Sequence, residues 1–473
     1  MTGTFMYFCN AKNMINRIYM ITVAKFGGTS VQDAEAINRL LKIIKGKNEQ
    51  VVVVVSAMAT ITDTLVEIVD NLRAGNDAAA LDLLNSIFKL HTKTVEDLHL
   101  NNSTLEYLDN ERSEMEQLIK ALHTLGEVSP KSTDIIISFG ERLSSFIIAE
   151  AMKTYGLDVM LFESQSIIRT DSNISVAEVD FKATNKLINK LLLPAFDKHK
   201  IIVCAGFIAK DKSGNITTLG RGGSDYSAAI IAAGINADRL EIWTDVSGIM
   251  TADPRYIKNA RIIKELTYPE AAELAYFGAK VLHPKTIQPA IKEKIPVYVR
   301  NSSRPEHSGT KIVAQGRKKK ILKAIAFRKN ITVVNITSNI MHAPHGFLKS
   351  VFDVFDKYKT AVEVVTTSEI SISLAIENVQ NLPKIKNELR KIADINIMKN
   401  YGVVCAVGEG IRDAAGVGAR FFGVLKGINI SMVSIGASEV NISIIVKAQD
   451  IQQAVELLHN EFFVPEPNSS VFY

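Results

Sequence analysis

The stretch Thr217–Ala228, Thr-Thr-Leu-Gly-Arg-Gly-Gly-Ser-Asp-Tyr-Ser-Ala, decides how the chain reads. Apolar, Ala-rich sequence carries on from it to Ala233, the apolar run Ile201–Ala209 precedes it, and Leu240–Val246 follows. The pattern is strand, glycine loop, helix, strand. Gly220, Gly222 and Gly223 let the backbone come close to a ligand and take positive φ. Ser224 and Asp225 stand where a helix N-cap belongs, and the N–H groups of such a helix start favour an anion. Arg221 offers a planar fork that suits a carboxylate or a phosphate. The alternative is a tight turn with a capped helix, which rarely needs three glycines and an arginine together.

Outward from this loop, the whole chain of 473 residues has room for about three domains. With 47% hydrophobic residues it can bury substantial cores. The charge balance is mild, 55 basic against 50 acidic residues, and only Arg317–Lys320 forms a basic run. A nucleic-acid surface wants a basic stripe with interleaved aromatics; this run reads as a solvated linker instead. Cys9, Cys204 and Cys405 lie far apart, the last two in apolar strand-like runs. They read as buried reduced thiols of a cytoplasmic protein. No His/Cys spacing suggests zinc, so no metal ligands are assigned. No apolar run approaches the ~18 residues of a membrane span. Residues 1–20 read as a disordered leader, or as sequence ahead of a true start at Met20, because they lack a continuous apolar signal region and a small-residue cleavage site.

Ile21–Lys25 is a short strand, followed by Phe26 and Gly27-Gly28-Thr29-Ser30. Ser30 and Asp33 have the spacing of a capping box, and Ile37, Leu40, Leu41 and Ile44 fall on one helical face. Lys25 therefore stands at the carboxyl end of a strand, beside a glycine turn and a helix start, where ligands gather in open α/β sheets. A lysine there can neutralise phosphate charge, or be an ordinary surface lysine. Val51–Val55 reads as a buried parallel strand that delivers Ser56 and Thr62 to the same edge, as substrate contacts or as helix caps. Residues 77–126 read as a helical hairpin. Glu141 stands in Ser138-Phe-Gly-Glu-Arg-Leu143 ahead of an apolar helix, and taken alone a glutamate at a helix start is electrostatic capping. Thr244-Asp245, a glycine turn, Met250 and Arg255 form a strand exit that would grip a nucleotide or simply leave the sheet. Thr267-Tyr-Pro-Glu270 is a capping box. Lys280 follows Phe277-Gly278-Ala279, as a second phosphate lysine or a solvated one. Pro296–Arg300 closes this domain.

After the linker at 302–320 an internal repeat appears at an offset of 70 residues. Val333-Val334 matches Val403-Val404, Gly346 matches Gly416, Phe352 matches Phe422, Ser368-Glu369 matches Ser438-Glu439, and Ile372-Ser373 matches Ile442-Ser443. Each copy reads strand, helix, strand, strand, helix, the split βαβ pattern.

Assembled in order, Lys25-Phe-Gly-Gly-Thr-Ser-Val31, Gly140-Glu141, Thr218-Leu-Gly-Arg-Gly-Gly-Ser-Asp225, Ile242-Trp-Thr-Asp-Val-Ser-Gly248 and Phe277-Gly-Ala-Lys-Val-Leu-His-Pro284 resemble the amino acid kinase family, and within it the monofunctional, lysine-sensitive aspartokinases. The repeat resembles tandem ACT domains. The resemblance implies a three-layer α/β/α amino acid kinase domain with a mainly parallel sheet over 21–301, then two ferredoxin-like βαββαβ ACT domains over 321–396 and 397–473. It implies transfer of the ATP γ-phosphoryl group to the side-chain carboxylate of L-aspartate, with Mg²⁺. Lys25 would then be the transition-state lysine, and Asp225 would orient the site. Ser56, Thr62, Glu141, Arg221, Gly222, Gly223 and Ser224 would hold aspartate, with Arg221 on a carboxylate and Glu141 on the ammonium. Gly27, Gly28, Thr29, Ser30, Thr244, Asp245, Met250, Arg255 and Lys280 would hold the nucleotide; the family often has Tyr where this chain has Met250. Met341, Phe347, Leu348, Val362, Glu363, Ser368 and Glu369 would form an effector site, with lysine as effector and threonine as the alternative. Assembly into a homodimer or homotetramer through the ACT domains is implied as well. Other readings are a glutamate-type amino acid kinase, against which the repeat and the Arg221 loop argue, and a catalytically inactive amino acid sensor, which the presence of Lys25 and Arg221 opposes.

Overall fold

A computed structural model describes residues 20–173, 177–278, 282–316, 321–338, 346–464 and 471–473. These form two compact units. The first takes the chain as far as Asp245, with Thr286–Val297 and Ser302–Pro305; the second takes Val246–Lys285, Tyr298–Asn301 and the chain from Glu306. The sequence placed the division after 301. The compact units divide after Asp245, and the segment around Glu270 is tied by side chains to the regulatory repeat.

In the first unit β1 (Ile21–Phe26), α1 (Ala34–Lys45), β2 (Gln50–Val55), α2 (Ile61–Arg73), α3 (Asp77–Asp97), α4 (Asn102–Leu125) and α5 (Pro130–Thr154) come first. Then follow β3 (Val159–Phe162), α6 (Phe181–Leu187), β4 (Ile201–Ala205), β5 (Ile208–Lys210), β6 (Ile216–Thr218), α7 (Gly223–Ile235) and β7 (Arg239–Thr244). Strands β3, β4, β2, β1 and β7 lie side by side and all parallel. The valines of β2 are buried on both faces, as a central parallel strand requires. Residues 77–126 are the expected hairpin, α3 and α4. Asp33 is the N-cap of α1, accepting from Ala36 N–H at 2.8 Å. Ser30 is not part of a capping box: its buried hydroxyl bonds Ser302 Oγ (2.8 Å) and Trp243 O (3.3 Å). The run Ile201–Ala209 is not one strand. It breaks at Gly206-Phe207, where a Cβ on Gly206 would lie 2.6 Å from Ser224 Cβ and Phe207 takes φ 66°.

In the second unit β8 (Glu265–Thr267) leads into α8 (Tyr268–Tyr276); α9 (Pro284–Lys292) and β9 (Val297–Asn301) cross between the units, and β10 (Thr310–Val313) pairs parallel with β8. The span read as linker thus contains a strand; its basic residues 317–320, like the leader, lie outside the described residues. The repeat supplies β11 (Ala324–Ser338), α10 (Phe347–Lys357), β12 (Val364–Thr367), β13 (Ser371–Ile376), α11 (Leu382–Leu389), β14 (Ala393–Val407), α12 (Val417–Gly423), β15 (Ile430–Ile435), β16 (Asn441–Lys447) and α13 (Ile451–Phe463). They form one antiparallel sheet in the order β12-β13-β11-β14-β16-β15.

In their strand pairing the two copies are nested rather than consecutive. β11 and β14 pair along their length, from Ala324↔Val407 to Ser338↔Ala393. The far half of β11 belongs with β13 and the near half of β14. The near half of β11, Ala324–Arg328, completes the sheet of the second copy beside the far half of β14 and β16. The changeover is marked by Asn330 and Asn400, equivalent in the repeat, with φ 62° and 63°. Asparagine tolerates this left-handed conformation.

Candidate functional site

Parallel pairing sets Lys25 at the end of β1 between Val54 and Ile242. Its Nζ lies 2.6 Å from Asp225 Oδ1, with both side chains largely buried. Asp225 is in the first turn of α7, where the helix start favours an acid. The N-cap is Gly222 rather than Ser224 or Asp225. It takes φ 72°, and a Cβ there would stand 2.9 Å from Thr286 Cγ2. Gly223 is closed in by Phe207, 2.5 Å from a would-be Cβ. So the glycines are required by close packing as well as by backbone angle. Arg221 projects from this loop, exposed.

Glu141 is not at a helix start: α5 begins at Pro130, and Glu141 is in its interior, 3% exposed. Gly140 makes this possible, because a Cβ there would meet Ala57 Cβ at 2.7 Å. The helix therefore runs tight against the β2–α2 loop, and Ser144 Oγ donates to Ser56 O at 2.8 Å. Glu141 Oε2 is buried without a hydrogen-bond partner. Burial pushes the carboxyl up to about 8, against the downward pull of backbone hydrogen bonds at Ala57 and Glu141 and of the Lys25 charge. A buried acid with an unused oxygen beside a lysine is prepared for a cation. Ser56, directly after β2, and Thr62, in the first turn of α2, are half-buried.

Gly27 N–H donates to Trp243 O at 3.0 Å. A Cβ on Gly27 would stand 3.6 Å from Lys25 Nζ, and one on Gly28 3.0 Å from Ala57 O. The turn thus gives the lysine head room that a side chain would fill. Thr29 is exposed, and Ser30 is a buried brace whose hydroxyl bonds Ser302 and Trp243. Thr244 Oγ1 donates to the exposed Asp245 carboxylate at 3.0 Å. In the second unit Met250 is bridged to Ile262. Arg255 is held by Asp253 through Nη2–Oδ2 (2.6 Å) and Nε–Oδ1 (3.0 Å), so its fork is engaged in this state. Lys280 lies outside the described residues.

Of the effector candidates, Phe347 is in the core of the first copy with Val351, Phe355 and Ile372. Leu348 is exposed and Val362 half-buried. Glu363 is paired with Arg328 at 3.0 Å, and Arg328 also reaches Glu377 and the carbonyl of Tyr276. Ser368 and Glu369 are exposed. Met341 lies outside the described residues. Two acids escaped sequence reading, Asp134 and Glu273, and a third, Glu270, was read only as a helix cap. Asp134 accepts from Thr218, Glu270 pairs with the buried Lys323 at 2.7 Å as well as capping its helix, and Glu273 accepts from Ser438 and Asn441. For Asp134 the available signal was a lone acid on the apolar stretch before Glu141.

The amino acid kinase family matches residues 20–301, and an ACT domain matches residues 404–462. The chain is 35% identical to lysine-sensitive aspartokinase 3 of Escherichia coli over 94% of its length and 99% of that protein's. It is 36% identical to chloroplastic aspartokinase 1 of Arabidopsis thaliana over 93% of its length and 80% of that protein's. Among solved structures, E. coli aspartokinase III in complex with aspartate and ADP (R-state) superposes with a TM-score of 0.79 at 34% identity, covering 94% of this chain and 100% of that one. The same enzyme in complex with lysine and aspartate (T-state) gives 0.78 at 35% identity, covering 94% and 99%.

Proposed function

This chain belongs to the amino acid kinase family as one of its aspartokinases, and on that footing we propose that it transfers the γ-phosphoryl group of ATP to the side-chain carboxylate of L-aspartate, giving 4-phospho-L-aspartate. The observation that carries the reading is the buried, unpartnered Oε2 of Glu141, near the charge of Lys25. The α-ammonium of aspartate supplies the missing partner and returns the Glu141 carboxyl to its ionised form. Arg221 takes a substrate carboxylate through its fork, with Ser56, Thr62 and Ser224 as hydroxyl contacts.

The nucleophile needs no base, since an aspartate carboxylate is ionised at pH 7. Its oxygen attacks the γ-phosphorus as the bond to the ADP oxygen breaks, and ADP leaves with the electron pair. Catalysis is then positioning and charge neutralisation. Lys25 meets the charge of the transferring group, and Asp225, at 2.6 Å, aims its ammonium. Gly27, Gly28 and Thr29 make the floor for phosphates, with Thr244, Asp245, Met250, Arg255 and Lys280 as further nucleotide contacts. Asp245, exposed beside Thr244, would hold the Mg²⁺ that accompanies ATP, and the ion would supply neutralisation of phosphate charge. Among the described residues no group of three or more His, Cys, Asp or Glu could hold a metal ion.

Lysine is proposed as the effector, acting at the first ACT copy in a homodimer or homotetramer, with Glu363 or Glu369 as the acid for its ammonium. Among the described residues no helix is long and apolar enough to cross a membrane; the buried thiols Cys204 and Cys405 suit a reducing cytoplasm.

The test is ADP release with hydroxylamine trapping of the acyl phosphate, aspartate against glutamate. Aspartate-dependent hydroxamate is expected, abolished or reduced at least ~10²-fold by Lys25→Ala. Hydroxamate from glutamate alone, or none from either, overturns the reading. Adding lysine is expected to inhibit the parent cooperatively and Glu369→Ala less. Equal inhibition of both would remove the effector assignment and leave the kinase assignment standing.

A further inference from the structure

We propose that Asp134 is a positioning residue for aspartate binding: by gripping Thr218 it fixes Arg221 relative to Glu141. This rests on the reading of Arg221 and Glu141 as substrate contacts.

Asp134 is fully buried in α5. Its Oδ2 accepts the Thr218 N–H at 3.2 Å and its Oδ1 accepts the Thr218 hydroxyl at 3.0 Å. Burying a carboxylate is costly unless it is well bonded, and here each oxygen accepts a bond from Thr218, itself 2% exposed. That residue ends β6 and opens the glycine loop. The next one, Leu219, donates its N–H to Phe207 O at 3.0 Å. Beyond it Gly220 and Gly222 take φ 69° and 72° on either side of Arg221. Gly223 N–H donates to Gly220 O at 2.9 Å, closing a tight turn around Arg221, so the arginine moves with that turn and the turn is entered from the anchor at Thr218.

Glu141 follows Asp134 by seven residues on the same helix. That is about two turns, so the two acids share a face roughly 10 Å apart along the axis. One rigid helix thus carries both the acid for the substrate ammonium and the acid that holds the loop bearing the substrate-carboxylate arginine. The span between the two recognition groups is set by α5.

The test is steady-state kinetics on the full chain with Thr218→Val, Thr218→Ser and Asp134→Asn, alongside Arg221→Lys and Glu141→Gln, each checked for cooperative unfolding. Thr218→Val removes the hydroxyl and keeps the buried shape. It should raise the aspartate KM about 10-fold, the effect of one lost hydrogen bond to a charged group, with the ATP KM unchanged. Thr218→Ser, which keeps the hydroxyl, should restore most of this. The double variant Asp134→Asn/Thr218→Val should be no worse than Asp134→Asn alone, because the two changes remove one interaction. An unchanged aspartate KM in Thr218→Val, or an equal rise in both KM values, overturns the proposal even if Asp134→Asn does not fold. If Arg221→Lys and Glu141→Gln also leave the aspartate KM alone, it is the reading of the substrate site that has failed. If they raise it and Thr218→Val does not, only the role of Asp134 falls.

Discussion

In the first copy of the regulatory repeat, the Ser368 hydroxyl turns back on Ser371 of its own turn, at 2.7 Å. In the second copy the equivalent Ser438 donates instead to Glu273 Oε1 of α8 at 2.8 Å, and Asn441, equivalent to Ser371, donates to Glu273 Oε2 at 2.6 Å. Other equivalent positions diverge the same way. Asn335 is half-buried, while its counterpart Cys405 is fully buried. Leu389 packs in the first core; its counterpart His459 is buried against Thr251, with Nε2 at 3.0 Å from the hydroxyl. One sequence pattern has therefore been put to two uses. The second copy is fastened to α8 and the segment before it, while the first keeps its turn exposed, which is the condition a ligand site requires.

The largest effect expected on this contrast is at Glu270. Its carboxylate holds Lys323, 1% exposed, and the N–H groups of Thr267 and Glu409. Glu270→Ala leaves a buried ammonium uncompensated and should cost ~3–5 kcal/mol in urea unfolding of the full chain. A loss under 1 kcal/mol would mean that the fastening is not energetic. Next, Glu273→Ala strands two donors and should cost ~1–3 kcal/mol.

A smaller effect is expected from His459. Burial holds its imidazole down at about 4, with the Arg261 charge adding to the depression. The folded state therefore binds this proton less readily than the unfolded chain. The stability concerned is fully present above pH ~6.5 and is lost as pH falls through about 4. His459→Leu, which copies the first repeat, should flatten the melting temperature between pH 6.5 and 4; an unchanged slope would assign the acid sensitivity elsewhere. The smallest effect is at the open turn, where Ser368→Ala should stay within about 0.5 kcal/mol of the parent. If it matches Glu273→Ala, the two turns are equivalent after all.

The acid at 141 adds a pH test in the first unit. Its carboxyl, raised to about 8, favours the folded state most below the ordinary value near 4.5, and that contribution is lost as pH rises through about 8. Glu141→Gln should therefore stabilise the unliganded protein above pH 8 while weakening aspartate binding. Stabilisation confined to low pH would contradict the burial argument.

The repeat, the parallel strands and the ordered motifs around Lys25, Glu141 and Arg221 were legible because periodicity and glycine placement are local signals. The nesting was not, since a single long strand such as Ala324–Ser338 looks the same whether it serves one sheet or two. Its only local trace is the Lys-Asn pair at 329–330 and again at 399–400. The partners of Asp134, Glu270 and Glu273 were beyond sequence reading because each acid meets groups far away in the chain. Ser30 and Glu141 were misjudged for one shared reason: helix ends shift what a side chain faces, and α1 begins later and α5 earlier than pattern alone indicates.

The nested sheet also orders events in time. As the chain emerges during synthesis, Ala324–Arg328 appear before any of the first copy, yet their neighbours Val403–Val407 arrive only after all of it. A nascent chain reaching Tyr401 holds the strands of a complete first module, from which the near end of β11 protrudes as an unpaired edge. Such an edge invites pairing with another chain, and distant pairings close slowly. The seconds between Tyr401 and the exit of β16 are thus when this protein is most exposed to joining the wrong neighbour.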